Sequence, residues 1–173
     1  MQKRVTNTHV LTRVAILVSM SIVLKVFLAF TLADYRFSFY DIPIMMTGIM
    51  FGPMLGAMSG FIVDWINILM PNLATGFNLF TVSSMMWGII PGLLLFGREK
   101  ITLTRIIITT VVTSFICFGI NTVQLYQWMG NGIYGALWAR VITLFIKLPI
   151  QVIILEVIYK RVIIFDLKLL RQK

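Results

Sequence analysis

Six long apolar runs divide the chain, at 10–31, 39–52, 54–70, 79–96, 102–126 and 135–161, with short polar or Gly/Pro stretches between them. A helix that crosses a bilayer core needs about 20 apolar residues. The pattern therefore predicts an all-α integral membrane protein, a bundle of six transmembrane helices joined by short loops. The first run is apolar from Val10 to Leu32, interrupted by charge only at Arg13 and Lys25. The second and third are short and meet at Phe51-Gly52-Pro53, where proline's fixed φ and missing N–H suit the end of one helix and the start of the next. The fourth stops at Gly97-Arg98-Glu99-Lys100, and Thr102 stands as an N-cap for the fifth. The sixth runs into a basic tail. Residues 1–173 read as one domain without a linker or a low-complexity tract. Met1 to His9 are too polar for a secretory core and no small-residue cleavage site follows, so the first run is expected to be a retained helix.

Charge adds a direction. The chain is 59% hydrophobic and only 12% charged, yet it carries 15 Lys and Arg against six acids, a net charge of +9, and its mean hydropathy is +0.94. In a chain this apolar, the excess reads as the positive-inside rule and not as nucleic-acid binding. Lys3, Arg4 and Arg13 precede or open the first run. Arg98, Lys100 and Arg105 flank the loop after the fourth. Lys160, Arg161, Lys168, Arg171 and Lys173 form the tail. With six crossings these regions share one side, so both termini are expected in the cytoplasm of a multi-pass protein of the cell membrane. The remaining four, Lys25, Arg36, Arg140 and Lys147, fall in the opposite half.

Charges inside a bilayer are costly and usually functional. Asp64 lies in the third run. Arg140, Lys147 and Gln151 share one face of the sixth at spacings of seven and four, and Lys147 lies roughly 18 Å below the outer end of that helix. Asn121, Gln124 and Trp128 share a face at the end of the fifth. The outer loops hold Arg36, Phe39, Tyr40 and Asp41, then Phe77 and Asn78. Rings, amides and cations collected in one half predict a pocket open to the outside for a flat heterocycle with an anionic group. Trp87 and Tyr159 are read as interfacial aromatics.

Gly48, Gly52, Gly56 and Gly60 recur every four residues, as do Gly88 and Gly92, and such spacing lets helices approach closely in lipid. Ala15 and Ser19 make a similar small pair on the first run. The lone Cys117 lies inside the fifth run, so no disulfide framework exists. No His/Cys/acid cluster suits zinc, no phosphate loop is present, and Ser83-Ser84 lacks a base. No cofactor and no catalytic residue is expected. Energy for transport has to come from a partner or an ion gradient.

The order of motifs resembles the substrate-binding (S) components of energy-coupling-factor vitamin importers, most closely the folate branch. The likeness runs through nearly the whole chain. It rests on Arg36-Phe37-Ser38-Phe39-Tyr40-Asp41-Ile42-Pro43, on Phe51-Gly52-Pro53 with Gly56, Gly60 and Asp64, on Gly76-Phe77-Asn78-Leu79, on Trp87-Gly88-Ile89-Ile90-Pro91-Gly92, and on Asn121-Thr122, Arg140 and Pro149-Ile150-Gln151. Two features depart from the folate pattern: Asp41-Ile42-Pro43 also resembles the riboflavin branch, and Ser19 stands where the first-helix motif usually has Ala.

The resemblance implies an outward-facing vitamin site and docking onto a transmembrane (T) component driven by two cytoplasmic ATPases. On that reading Asp64, with Asp41 as second candidate, reads the pterin edge. Arg36, Arg140 or Lys147 neutralises the ligand's anionic part, with the deeper Lys147 pairing Asp64. Ala15 and Ser19 form the docking face. The alternatives are an S component for riboflavin or thiamin, or a small ion-coupled transporter with Asp64 as its carboxylate.

Overall fold

The computed structural model describes residues 7–27, 30–32, 35–69, 78–98, 101–130 and 133–163. It is a helical bundle: α1 (Asn7–Val26), α2 (Asp41–Phe51), α3 (Pro53–Ile68), α4 (Leu79–Leu95), α5 (Leu103–Met129) and α6 (Ile133–Ile158), the last continued by one π-helical turn, Tyr159–Ile163. Five of the helices follow the apolar runs to within a few residues. The first does not. Helix α1 stops at Val26, and the chain beyond it forms an antiparallel hairpin of β1 (Phe30–Leu32) and β2 (Tyr35–Phe37), in the register Phe30↔Phe37, Thr31↔Arg36, Leu32↔Tyr35. A short apolar run rich in aromatics has no periodicity that separates a helix end from a strand. After the hairpin, the Ser38 hydroxyl donates to the Leu24 carbonyl at 2.9 Å and ties the chain back to the end of α1.

Stretches of α1, α5 and α6 (Thr8–Val26, Leu103–Trp128 and Leu137–Arg161) are long and apolar enough to cross a membrane. Their exposed faces carry Leu11, Ile16, Phe115, Phe145 and Ile153, which lipid and not water would cover. Helix α2 has 11 residues, a length of about 16 Å at 1.5 Å per residue, or about half a bilayer core. Its first residue, Asp41, is completely buried. The sequence places Asp41 in an outer loop; the structure places it in the first turn of a helix that starts inside the bundle.

Helices α2, α3 and α4 form the scaffold, and glycine sets their spacing. Gly52, at φ 97°, makes the sharp turn from α2 into Pro53. A Cβ on Gly56 would meet the backbone of Gly88 and Gly48, one on Gly60 the backbone of Ser84, and one on Gly92 the backbone of Pro53. The three backbones thus touch where side chains would otherwise hold them apart. The glycine repeats predict this internal packing, and α4 is the neighbour that α3 meets. The buried core around this scaffold includes Ile42, Ile44, Met45, Val63, Trp87 and Leu95.

Candidate functional site

Two lysine–aspartate pairs join the outer helices to that scaffold. Lys25 of α1 meets Asp64 of α3 at 2.5 Å between Nζ and Oδ1. The other oxygen of Asp64 accepts a 2.5 Å hydrogen bond from the Thr81 hydroxyl of α4. Lys147 of α6 meets Asp41 of α2 at 2.7 Å through Oδ2, and the amide of Gln151, one turn further along α6, donates to the same oxygen. The Lys147 ammonium also lies 5.6 Å from the ring centroid of Trp87 on α4. Asp41 and Asp64 thus each have a cation partner, which offsets part of the cost of holding charge in the bundle.

Tyr40 links the two pairs. Its ring lies 4.5 Å below the Lys25 ammonium, its hydroxyl is 3.4 Å from the Ser84 hydroxyl on α4, and its chain neighbour is Asp41. Helix α5 packs against the cluster through Cys117, whose thiol donates to the Ser83 carbonyl at 3.5 Å. Three buried polar atoms, one each on α2, α4 and α5, have no hydrogen-bond partner among the described residues: Oδ1 of Asp41, Oγ of Ser83 and Oδ1 of Asn121. Asn121 lies one turn beyond Cys117 on α5. Buried polar atoms are rarely left unsatisfied, so α2, α4 and α5 each offer a polar atom suited to a ligand with N–H and O–H groups.

The other predicted residues divide by position. Asn78 caps α4, its Oδ1 accepting from the Phe80 amide at 2.9 Å. Gln124 of α5 reaches the same helix end and accepts from the Leu79 amide at 2.9 Å. Both therefore have a structural task, fixing the start of α4. Trp128 packs edge-on against Phe80 at 5.5 Å and is half exposed, outside the central cluster. Arg140 of α6 donates to the Asn121 carbonyl at 3.4 Å and lies 5.3 Å from the Phe118 ring centroid, so it binds α5. Phe39 is half-buried beside the core. Arg36 stands in β2 opposite Thr31. Phe77 lies outside the described residues. Ala15 and Ser19 are both exposed on α1.

The structure corrects one pairing. Lys147 meets Asp41 and not Asp64; the partner of Asp64 is Lys25. Helical spacing gives the depth of Lys147 but not the depth at which the short α2 begins, and that start decides which acid it reaches. Trp87 is no interfacial aromatic: it is buried, with its ring toward Lys147. Lys25, Tyr40 and Gln151 are further members of the cluster. The signal available for Lys25 and Gln151 was polarity inside apolar runs; for Tyr40 only its place beside Asp41 pointed to the site. Among the described residues no group of three His, Cys, Asp or Glu could hold a metal ion.

Known proteins give this geometry a family. A folate transporter, FolT, of Clostridium novyi (strain NT) is 26% identical over 157 residues, covering 90% of this chain and 91% of that protein. A crystal structure of FolT bound with folic acid matches with a TM-score of 0.76 at 26% identity, over 87% of this chain and 92% of that one. The structure of the S component of a bacterial ECF transporter shares the fold, with a TM-score of 0.69 at 19% identity over 92% and 98% of the two chains. The family described as ECF transporter, substrate-specific component, matches residues 9–159. This membrane-embedded chain, a transporter's binding subunit and not an enzyme, belongs to that family.

Proposed function

We propose that the chain is the folate-binding S component of an ECF-type importer. It captures the vitamin outside the cell and delivers it through a T component powered by two cytoplasmic ATPases, with its own termini in the cytoplasm. The observation that carries the ligand assignment is the Asp41 carboxylate: completely buried, clamped at one oxygen by Lys147 and Gln151, and without a partner at the other. A pterin presents a 2-amino group and an adjacent ring N–H along one edge. The partnerless oxygen of Asp41 accepts from this edge, and the clamp on the other oxygen already orients it to do so. The similarity to FolT over nine-tenths of both chains supports folate as the ligand.

In this reading Asp41 takes the role that its place on a helix and the family's motif favour for Asp64, because both oxygens of Asp64 are engaged by Lys25 and Thr81. Asp64 instead holds α1 against the scaffold. Lys147 and Gln151 position Asp41, and the Asn121 side chain and Ser83 hydroxyl meet further polar atoms of the ligand. Arg36, Arg140, Phe39 and Phe77 serve the aminobenzoyl-glutamate end, with Asn78, Gln124 and Trp128 shaping the outer rim. Ala15 and Ser19 form the docking face for the T component, since small residues permit close helix approach.

The absorption spectrum of protein purified without added ligand tests the ligand assignment. A copurified folate chromophore supports it, and a flavin or thiamin chromophore refutes it.

A further inference from the structure

The end of α4 and the start of α5 line a gap with its own chemistry. An open cleft of about 130 Å³ there is lined by Leu94, Leu95, Arg98, Arg105, Ile108 and Thr109. Leu94 and Ile108 are exposed, as are neighbouring Leu93 and Leu103, so the apolar wall of the cleft continues onto the membrane-facing surface. Arg98 donates through Nε to the Leu94 carbonyl at 2.7 Å. That bond holds its side chain back over the last turn of α4 and leaves the rest of the planar guanidinium to face a ligand. Among the described residues the ion pairs are Lys25–Asp64, Lys147–Asp41 and Lys160–Glu156, so neither Arg98 nor Arg105 is neutralised by a carboxylate there. The side chain of Thr102 caps none of the first N–H groups of α5, so the positive end of that helix, whose first turn carries the cleft-lining Arg105, adds to the local positive charge.

We propose that this cleft binds the phosphate headgroup of an anionic phospholipid. Two guanidinium groups match the oxygens of a phosphodiester, and the Leu94–Ile108 wall gives the acyl chains an apolar track along α4 and α5. A zwitterionic headgroup would bring its own ammonium beside two arginines that no carboxylate among the described residues pairs, so a lipid of net negative charge is favoured. An acidic face of a partner protein carries the same charge, but it would have to fit against leucine and isoleucine walls that suit hydrocarbon. The bound lipid fixes the depth of the α4–α5 turn at the membrane surface. This site is separate from the Asp41 cluster, and the proposal stands whichever vitamin that cluster takes.

Native mass spectrometry of the full chain tests it, with phosphatidylglycerol or phosphatidylcholine added at equal concentration. The expected result is retention of phosphatidylglycerol over phosphatidylcholine by roughly tenfold or more, in line with two basic residues at a lipid surface. Arg98→Gln/Arg105→Gln is expected to lose that preference, while Lys160→Gln/Arg161→Gln, which removes two exposed charges elsewhere, keeps it. Excess inorganic phosphate or glycerol phosphate is expected not to displace the lipid. Equal retention of the two lipids by the unaltered chain overturns the proposal and needs no variant. So does equal loss in both double variants, which means diffuse charge attraction. Displacement by inorganic phosphate assigns the cleft to a free anion. Loss of assembly with the T component in Arg98→Gln/Arg105→Gln, with lipid retention unchanged, assigns it to a protein partner.

Discussion

Lys25 and Asp64, thirty-nine residues apart in the chain, meet at 2.5 Å deep in the bundle, and the lysine ammonium lies 4.5 Å from the centre of the Tyr40 ring. One contact therefore joins α1, the helix with the exposed Ala15–Ser19 pair, to α3 and to the residue that precedes Asp41. Removing one partner of a buried ion pair leaves an unpaired charge and costs about 3–5 kcal/mol. Lys25→Met is expected to lower stability by an amount of that order, read as a drop in the thermal unfolding midpoint in detergent. Lys25→Met/Asp64→Leu is expected to recover more than half of the loss. A double variant as unstable as the sum of the two single changes would show that the pair does not act as a unit.

The glycine contacts make a second expectation. A methyl group at Gly88 collides with the backbone of Gly56, and neither backbone can yield without separating α3 from α4. Gly88→Ala is expected to cost at least about 1–3 kcal/mol and to reduce the monodisperse fraction in size-exclusion chromatography. Gly119→Ala is the control, because nothing lies within 4 Å of the added carbon. Equal behaviour of the two variants contradicts the role given to the α3–α4 backbone contact.

The division of labour between the acids is open to a direct comparison. Charge-assisted hydrogen bonds typically contribute roughly 1.5–3 kcal/mol. Asp41→Asn is expected to weaken folate binding about ten- to a hundredfold in the folded fraction, and also to lower the unfolding midpoint, because it leaves the Lys147 ammonium without its carboxylate. Asp64→Asn is expected to lower the unfolding midpoint while the folded fraction still binds. The reverse pattern reassigns the pterin edge to Asp64.

Much of this architecture is legible in the chain, and the misses have physical causes. Hydropathy marks five of the helices closely because helices that face lipid or the interior of the bundle are apolar along most of their length. It fails at Phe30–Leu32, where apolar residues serve a hairpin and carry no distinguishing period. The glycine spacing predicts close packing because a missing side chain is visible in sequence. The partners of the buried charges are not visible. Lys147 on α6 reaches Asp41 because α2 is short and begins inside the bundle, a fact of three-dimensional depth. The cap role of Gln124 is hidden for a similar reason: it depends on α5 lying beside the start of α4, forty-five residues earlier.

Docking can be separated from binding. Ala15 is exposed on α1, so Ala15→Trp is expected to leave folate affinity within about twofold, since distant surface changes rarely couple to a site. ATP-driven folate uptake in vesicles containing the T component and both ATPases is expected to be abolished. A variant that binds and transports normally removes Ala15 from the docking face, and one that fails to bind places it in internal packing.

Titration calorimetry of the purified chain, alone and without its partner subunits, bears most directly on the central claim. The account predicts saturable, one-to-one heat with folate and none with riboflavin or thiamin. Saturable heat with riboflavin or thiamin, and none with folate, contradicts it.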